Sequence, residues 1–125
     1  MNLDIWPAIG QSSHNTHDLK TYQHYFKKYR ENFGFKHVKI IDPFARKCPW
    51  GTHRNDINPT FLEEGFTNSC SDALDFVRRL KTNDCEMILL DPPFSDRQSK
   101  EEYGSPNLYT NPKYMAQLGA ECFRI

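Results

Sequence analysis

A short apolar stretch that ends at two consecutive prolines constrains the fold of this chain more than any other feature. The stretch is Glu86-Met87-Ile88-Leu89-Leu90, and Asp91-Pro92-Pro93-Phe94 follows it directly. A short run of consecutive apolar residues bounded by turn residues is typical of a strand that is buried on both faces. Because two prolines fix the backbone and remove two amide donors, the strand has to end there. We therefore predict a buried strand over 86–90 whose end aims the Asp91 carboxylate into a cleft.

Helical and strand patterns alternate along the rest of the chain. Helices are predicted at Asp18–Phe33, Ser71–Leu80 and Tyr114–Phe123, and further strands at Val38–Ile41 and His53–Ile57. Asp18 and Ser71 are the expected N-caps, and Gly34 is expected to end the first helix. Irregular segments are predicted at 1–17, 43–52, 60–70 and 95–112. The alternation predicts an α/β fold, in which helices flank a parallel sheet.

Composition is typical of a soluble globular chain. The length of 125 residues suits one domain, and the 16 basic and 16 acidic residues cancel, so any contact with nucleic acid must come from a local patch. Apolar runs are too short to span a bilayer and the first residues are unlike a secretion signal, so we expect no membrane partner. The four cysteines form no closely spaced pair, so we expect reduced thiols and no metal site.

Aspartates stand where each predicted strand ends. Asp42 follows the strand at 38–41, Asp56 lies at the end of the strand at 53–57, and Asp91 follows the strand at 86–90. A fourth, Asp72, opens the helix that precedes the last strand. Asp is common in turns and caps, which is the ordinary explanation for any one of them. In an open parallel sheet, however, ligands bind outside the carboxyl ends of the strands, so four such residues in order predict a binding cleft.

The residues after the last strand suit chemistry on an aromatic amine. The lone pair of an exocyclic amine is delocalised into its ring, which makes the amine a poor nucleophile. Hydrogen bonds to the Asp91 carboxylate and the Pro92 carbonyl would draw the amine toward tetrahedral geometry. Phe94 would stack on a base that has swung out of its duplex. The simpler alternative is a Pro-Pro turn after a core strand.

Four motifs together resemble the DNA adenine N6-methyltransferases that use S-adenosyl-L-methionine, and especially the small phage-type members. The motifs are Asp42-Pro43-Phe44-Ala45, Asn55-Asp56-Ile57-Asn58-Pro59, Asp72-Ala73-Leu74-Asp75-Phe76 and Asp91-Pro92-Pro93-Phe94-Ser95-Asp96-Arg97-Gln98. They occur in the order and at the spacing of that group, and the resemblance runs from about residue 5 to about residue 103. It implies a Rossmann-like methyltransferase sheet and DNA as the partner.

The resemblance also implies a role for each motif. The implied cofactor-binding residues are Asp42, Phe44, Ala45, Asp56, Asp72 and Ala73. Among them, Asp56 would accept hydrogen bonds from the ribose hydroxyls, and Asp72 would accept one from the adenine amine of the cofactor. The implied catalytic residues are Asp91, Pro92, Pro93 and Phe94, and the implied substrate-binding residues are Ser95, Arg97 and Gln98. One departure is the loop Phe44–Gly51, in which Gly51 is the one glycine although the cofactor approaches the backbone there.

Completeness and target remain open at this stage. A full fold of the family has about seven strands, and we predict about four, so we expect an incomplete sheet that pairs with a second copy or a complementing chain. One alternative function is a truncated or degenerate module that binds without turnover. Another is methylation of cytosine N4 or of RNA, because the catalytic motif is shared among amino-methyltransferases. The expected location is cytoplasmic, inside the host cell or phage-infected cell.

Overall fold

The computed structural model describes residues 16–34, 36–93, 95–103 and 111–125, in two compact units that divide between His37 and Val38. The described residues of the amino-terminal unit form a 3-10 turn, Thr16–Asp18, and helix α1, Lys20–Glu31. Leu19 is the N-cap of α1 and no side chain caps it, so the predicted Asp18 cap is wrong. The helix ends at Glu31 with Asn32 as its C-cap, before the predicted stop at Gly34. Gly34 lies in the turn that follows, at a φ of +59° that suits glycine. Residues 1–15 of the predicted arm 1–17 lie outside the described residues.

The second unit is built on a parallel sheet of four short strands. They are β1, Ile40–Asp42; β2, His53–Asp56; β3, Ser69–Cys70; and β4, Met87–Ile88. Their order across the sheet is β3-β2-β1-β4, and every neighbouring pair is parallel. The predicted α/β class with about four parallel strands is therefore confirmed, and the sheet is compatible with a Rossmann-like fold.

Four helices accompany the sheet: α2, Pro59–Glu63; α3, Ala73–Arg78; α4, Asp96–Tyr103; and α5, Pro112–Arg124. Helices α2 and α4 occupy segments that were predicted to be loops, so that prediction is wrong. The Asn58 side chain accepts from Thr60 N and starts α2, and Ser95 Oγ accepts from Gln98 N at the start of α4. The N-cap of α3 is Asp72, not the predicted Ser71.

The core lies where α3 and α5 pack beside the strands. Its buried members are Ile41, Phe44, Ala73, Leu74, Phe76, Val77, Leu118, Cys122 and Ile125. Arg124 fixes the two helices together, since its guanidinium donates to Val77 O at 3.1 Å and to Leu80 O at 2.9 Å at the end of α3. Cys85 N, just before β4, donates to the backbone oxygen of Ile125 at 3.0 Å. These contacts hold the amino end of β4 and leave its carboxyl end to the candidate site.

Candidate functional site

The carboxyl ends of β1 and β4 lie side by side at the point where the strand order reverses. Chain connections run from β1 outward through β2 to β3, and β4 then pairs with the other side of β1. Leu89 N donates to Ile41 O at 2.9 Å, which carries the pairing one residue beyond β4. Such a switch point leaves a crevice outside the strand ends, and open α/β sheets bind ligands there. Asp42 is the last residue of β1, and Asp91 follows β4 after Leu89 and Leu90.

Asp42 is the most perturbed acid at this edge. Its side chain is 3% exposed, and its Oδ1 accepts from Phe44 N at 3.2 Å. The pKa of Asp42 is raised from 3.8 to about 8, mainly because the group is buried. The charges of Asp91 and Asp56 contribute to this rise, and hydrogen bonds from Phe44 N and the Cys48 thiol oppose it. The structure therefore brings the three strand-end acids of β1, β2 and β4 within electrostatic reach. At neutral pH a positive charge would be needed beside Asp42 to keep it ionised.

Cys48 belongs to the same cluster. It is 7% exposed and its thiol is hydrogen-bonded to the Asp42 carboxyl group. The pKa of the Cys48 thiol is raised to about 12, mainly by burial, with a contribution from the charges of Asp42 and Asp91. Cys48 is thus a neutral hydrogen-bond donor to Asp42 rather than a nucleophile.

Asp56 is fully buried and holds backbone around it. Its Oδ2 accepts from Arg46 N at 3.1 Å and its Oδ1 accepts from Asn58 N at 2.9 Å. Burial raises the pKa of Asp56, against the effect of these two hydrogen bonds. Arg46 has a φ of +49°, in the left-handed region, and the bond to Asp56 helps to hold it there. The predicted ribose contact of Asp56 stays a prediction, since both oxygens have backbone partners and the side chain is not exposed.

The loop after β1 passes close to the sheet at Gly51. A Cβ atom on Gly51 would lie 2.9 Å from Arg54 Cγ and 3.0 Å from Asp42 Cβ, so a larger residue would force the loop or these side chains to move. At the other end of the loop, Phe44 and Ala45 are buried, and Ala45 N donates to Asn55 O at 2.9 Å. The Phe44 side chain is a core residue, so what the loop offers a ligand at this place is its backbone.

Asp72 follows β3 and faces both the start of α3 and the side of α5. Its Oδ2 accepts from Leu74 N at 3.0 Å and from Asp75 N at 3.2 Å, which caps α3. Its Oδ1 accepts from the Tyr114 hydroxyl of α5 at 2.8 Å. Asp72 is partly exposed, whereas Ala73 beside it is 1% exposed. The predicted contact of Asp72 with a cofactor adenine stays a prediction. The adenine amine would donate to a lone pair of the Asp72 carboxylate that the bonds to α3 and Tyr114 do not use.

Asn55 was missed from the sequence as a site residue. It lies in β2 beside Asp56, is not exposed, and its side-chain amide bridges the turns that follow β1 and β3. Its signals in the sequence are its place at the start of the motif Asn55–Pro59 and its position next to the aspartate that ends a strand. The partners of its amide, Pro43 and Ser71, are far away along the chain, so their identity is visible only in the fold.

The predicted catalytic motif is described up to its second proline. Pro92 and Pro93 are buried and Asp91 is partly exposed, as expected for a strand end that opens into a crevice. Phe94 lies outside the described residues, so its predicted stacking role stays a prediction. Of the predicted substrate-binding residues, Ser95 caps α4 through Gln98 N at 3.1 Å, and Arg97 is exposed and pairs with Glu101 at 2.9 Å. Their contact with substrate is untested.

Within the described ranges, no group of three or more His, Cys, Asp or Glu side chains is arranged to hold a metal ion. Nor does the described part of the chain contain a helix long and apolar enough to cross a membrane. A scan against protein-family models found no match to this chain, and searches of curated proteins and of solved structures found none either. The local geometry and the sequence motifs are therefore the basis for a functional proposal.

Proposed function

We propose that this chain transfers a methyl group from S-adenosyl-L-methionine to the N6 amine of adenine in DNA. The single observation that carries the proposal is the meeting of Asp42 and Asp91 across the β1–β4 switch point. These residues come from two separate motifs of the adenine methyltransferase pattern, and the charge of Asp91 contributes to the raised pKa of Asp42. Ligands of open α/β sheets bind at such a point.

The site suits a cationic cofactor at its centre. Asp42 is buried among carboxylates, and no ion pair with a described Lys or Arg neutralises it. S-adenosylmethionine carries a positive sulfonium and a positive ammonium group, and a positive charge beside Asp42 would offset the cost of its ionisation. The backbone of the Phe44–Ala45 turn, Asp72 and Ala73 would complete the site. The cofactor supplies the methyl group, as an electrophile bonded to its sulfonium.

The target amine would lie on the β4 side of the crevice. The Asp91 carboxylate and the Pro92 carbonyl would accept hydrogen bonds from its two N–H groups, which localises the lone pair on the nitrogen for attack on the methyl carbon. The C–S bond of the cofactor would break as the N–C bond forms, S-adenosylhomocysteine would be the leaving group, and the proton that the nitrogen loses would pass to Asp91. Phe94 would stack on the flipped base. Pro92 and Pro93 are buried, so the strand end that presents Asp91 is supported by packing.

The test is cofactor binding followed by product analysis. Isothermal titration of the intact chain with S-adenosylmethionine should show one site, and adenine-containing DNA should gain N6-methyladenine. Asp91→Asn should keep the fold and cofactor binding but lower the methylation rate by about a hundredfold or more, as for loss of a group that acts on the transition state. Asp75→Asn, on an exposed face of α3, is the matched control and should behave as wild type. Absence of cofactor binding by the wild-type chain would refute the proposal.

One observation favours a second candidate, a methyltransferase-like module that binds partners without turnover. Both oxygens of Asp56 and both of Asp72 already have hydrogen-bond partners within the chain, although ribose and adenine would need acceptors there. Such a module would associate with a second copy or a complementing chain. Light scattering combined with the methylation assay distinguishes the candidates, since a module without turnover would form a dimer or a complex yet yield no methylated product.

The identity of the target base is a separate question, which the same assay answers. Cytosine N4 and adenine in RNA present the same kind of delocalised exocyclic amine to Asp91. Digestion of methylated DNA and RNA to nucleosides, followed by mass spectrometry, separates N6-methyladenine from N4-methylcytosine. We expect the added methyl group on adenine in DNA. A methyl group found on cytosine N4 or on adenine in RNA would replace that part of the proposal.

A further inference from the structure

We propose that Asn55 is a positioning residue, which holds the turns after β1 and β3 at one fixed separation so that both can meet the same ligand. The inference rests on the proposed function, because these two turns carry the residues on either side of the proposed cofactor. Asn55 itself is not exposed and would not touch the cofactor. Its effect would pass through Pro43 and Ser71, which stand directly beside Asp42 and Asp72.

The amide of Asn55 has a partner for every group that it presents. Its Nδ2 donates to Pro43 O at 3.2 Å and to Ser71 O at 2.8 Å. Its Oδ1 accepts from Ser71 N and from Ser71 Oγ, both at 3.1 Å. A primary amide has two donor hydrogens and an oxygen with two lone pairs, so its capacity is filled. A buried group satisfied in this way restricts its partners strongly, since each lost bond would leave a polar atom buried and unpaired.

The backbone of the same residue adds a further connection to the β1 side. Asn55 O accepts from Ala45 N at 2.9 Å, and Asn55 pairs with Ser69 in the register of β2 and β3. Asn55 therefore contacts the turn after β1 at Pro43 and Ala45, and the turn after β3 at Ser71. These are the two turns in which the proposed cofactor contacts lie, one with Phe44 and the other with Asp72.

Asparagine fits this place for reasons of both charge and size. An Asp at position 55 would set a carboxylate against the carbonyl oxygens of Pro43 and Ser71, in a region that already holds the carboxyl groups of Asp42 and Asp56. A Gln is longer by one methylene, at a position with no exposed surface. An apolar residue would leave Ser71 N without its acceptor.

The experiment compares Asn55→Ala with Ile125→Ala, a core variant at the other end of the sheet. Ile125 is 5% exposed and its backbone oxygen accepts from Cys85 N, just before β4, so its truncation removes core packing but none of the hydrogen bonds that Asn55 makes to the two turns. Two quantities are measured for each variant under conditions where both are folded. One is the dissociation constant of S-adenosylmethionine, and the other is the hydrogen-exchange rate of the Ala45 and Ser71 amides.

Asn55→Ala should weaken S-adenosylmethionine binding by at least about tenfold, because small displacements of binding groups cost this much or more. Exchange at Ser71 and Ala45 should rise together, beyond the rise at core amides. Ile125→Ala should leave the affinity for S-adenosylmethionine unchanged. In this variant, exchange at the Ala45 and Ser71 amides should rise no more than exchange at its core amides. Equal effects of the two variants, after correction for global stability, would mean that Asn55 is merely structural and would overturn the proposal.

Two further outcomes keep the inference separate from the proposed function. If the wild-type chain does not bind S-adenosylmethionine, the proposed function fails, while the exchange rates still show whether Asn55 holds the two turns. If Asn55→Ala does not fold, Asn55→Ser takes its place, since a hydroxyl retains one donor and two acceptor lone pairs. Failure of both variants to fold while Ile125→Ala folds would reduce Asn55 to a folding residue and overturn the proposal.

Discussion

The Tyr114 hydroxyl donates to Asp72 Oδ1 at 2.8 Å and accepts from Leu74 N at 3.1 Å. One phenol of α5 thus connects to the capping carboxylate and to a backbone amide of the first turn of α3. Because the hydroxyl has a single proton, accepting from Leu74 N leaves that proton for Asp72. The orientation of Asp72, the proposed partner of the cofactor adenine, therefore depends on a residue more than forty positions later in the chain.

Tyr114→Phe should lower the free energy of unfolding by about 1–2 kcal/mol, since it removes a partly buried hydrogen bond to a carboxylate and keeps the ring. Urea denaturation measures the loss. In a double-mutant cycle, the same change made in an Asp72→Ala background should cost distinctly less, because the main partner is already gone. Additive losses would show that the bond contributes nothing to stability.

Gly51→Ala should destabilise the second unit by about 1–3 kcal/mol, the usual cost of inserting a methyl group into a packed site. The added Cβ would lie 3.0 Å from Asp42 Cβ, an atom fixed by its strand, so the loop has to move. S-adenosylmethionine binding should weaken in parallel, because the loop borders the proposed site. Thermal denaturation and titration measure the two effects.

Gly119→Ala is the matched control for this substitution. Gly119 lies inside α5 and a Cβ there would meet nothing within 4 Å. Alanine should raise stability by up to about 1 kcal/mol, because glycine is the weaker helix former. A Gly51→Ala protein that is as stable as wild type would contradict the close approach of the loop to Asp42.

Much of the sheet was predictable because its signals are local. The apolar runs before Asp42 and Asp91 predict β1 and β4, and the apolar stripe after Asp72 predicts α3. The predicted burial of 86–90 is wrong, because β4 spans only Met87–Ile88 at the edge of the sheet, is half-buried, and is followed by an exposed Leu90. Strand β3 has two residues, Ser69 and Cys70, and no pattern of its own. Asn68, just before β3, is hydrogen-bonded to the backbone of Arg54 in β2 through both its own backbone and its side chain. Because the two residues are far apart in the chain, the local sequence around β3 does not indicate this pairing.

The predictions for α2, α3 and α4 differ from the structure for separate physical reasons. The sequence predicts an irregular segment at 60–70, yet Asn58 and Pro59 just before it are signals that start a helix, as Asn at the N-cap and Pro at the first helical position. Helix α4 is polar, so it has no apolar stripe to reveal it, and Ser95 is its one clear cap. At α3, both Ser71 and Asp72 can cap, and Ser71 is instead engaged by Asn55.

Thiol reactivity should divide the four cysteines by burial. Cys70 is exposed and should react first with a disulfide reagent in the folded protein. Burial raises the pKa of Cys48 to about 12 and that of Cys122 to about 11, and it also raises the pKa of Cys85, so these thiols should react slowly. Cys70→Ser should remove the fast phase alone, and urea should expose every remaining thiol. A fast phase that survives in Cys70→Ser would contradict this burial pattern.

The stability of the second unit should fall as pH rises, and Asp42 should account for a large part of the fall. The pKa of Asp42 is about 8 in the folded chain, above its ordinary value of 3.8, so between these values the folded state binds more protons than the unfolded state. Its contribution is fully present below about pH 4 and is lost as pH rises through about 8. The raised pKa of Asp56 acts in the same direction.

Asp42→Asn keeps an oxygen that can accept from Phe44 N but cannot ionise, so it should gain stability relative to wild type as pH rises from about 5 to about 8. The gain should approach about 1.4 kcal/mol per pH unit, the value for one proton. Urea denaturation at several pH values measures it. Asp75→Asn, at an exposed position on α3, should show no such trend. A pH-independent difference between Asp42→Asn and wild type would mean that Asp42 ionises normally, and that the site lacks the unbalanced negative charge on which binding of a cationic cofactor is proposed to depend.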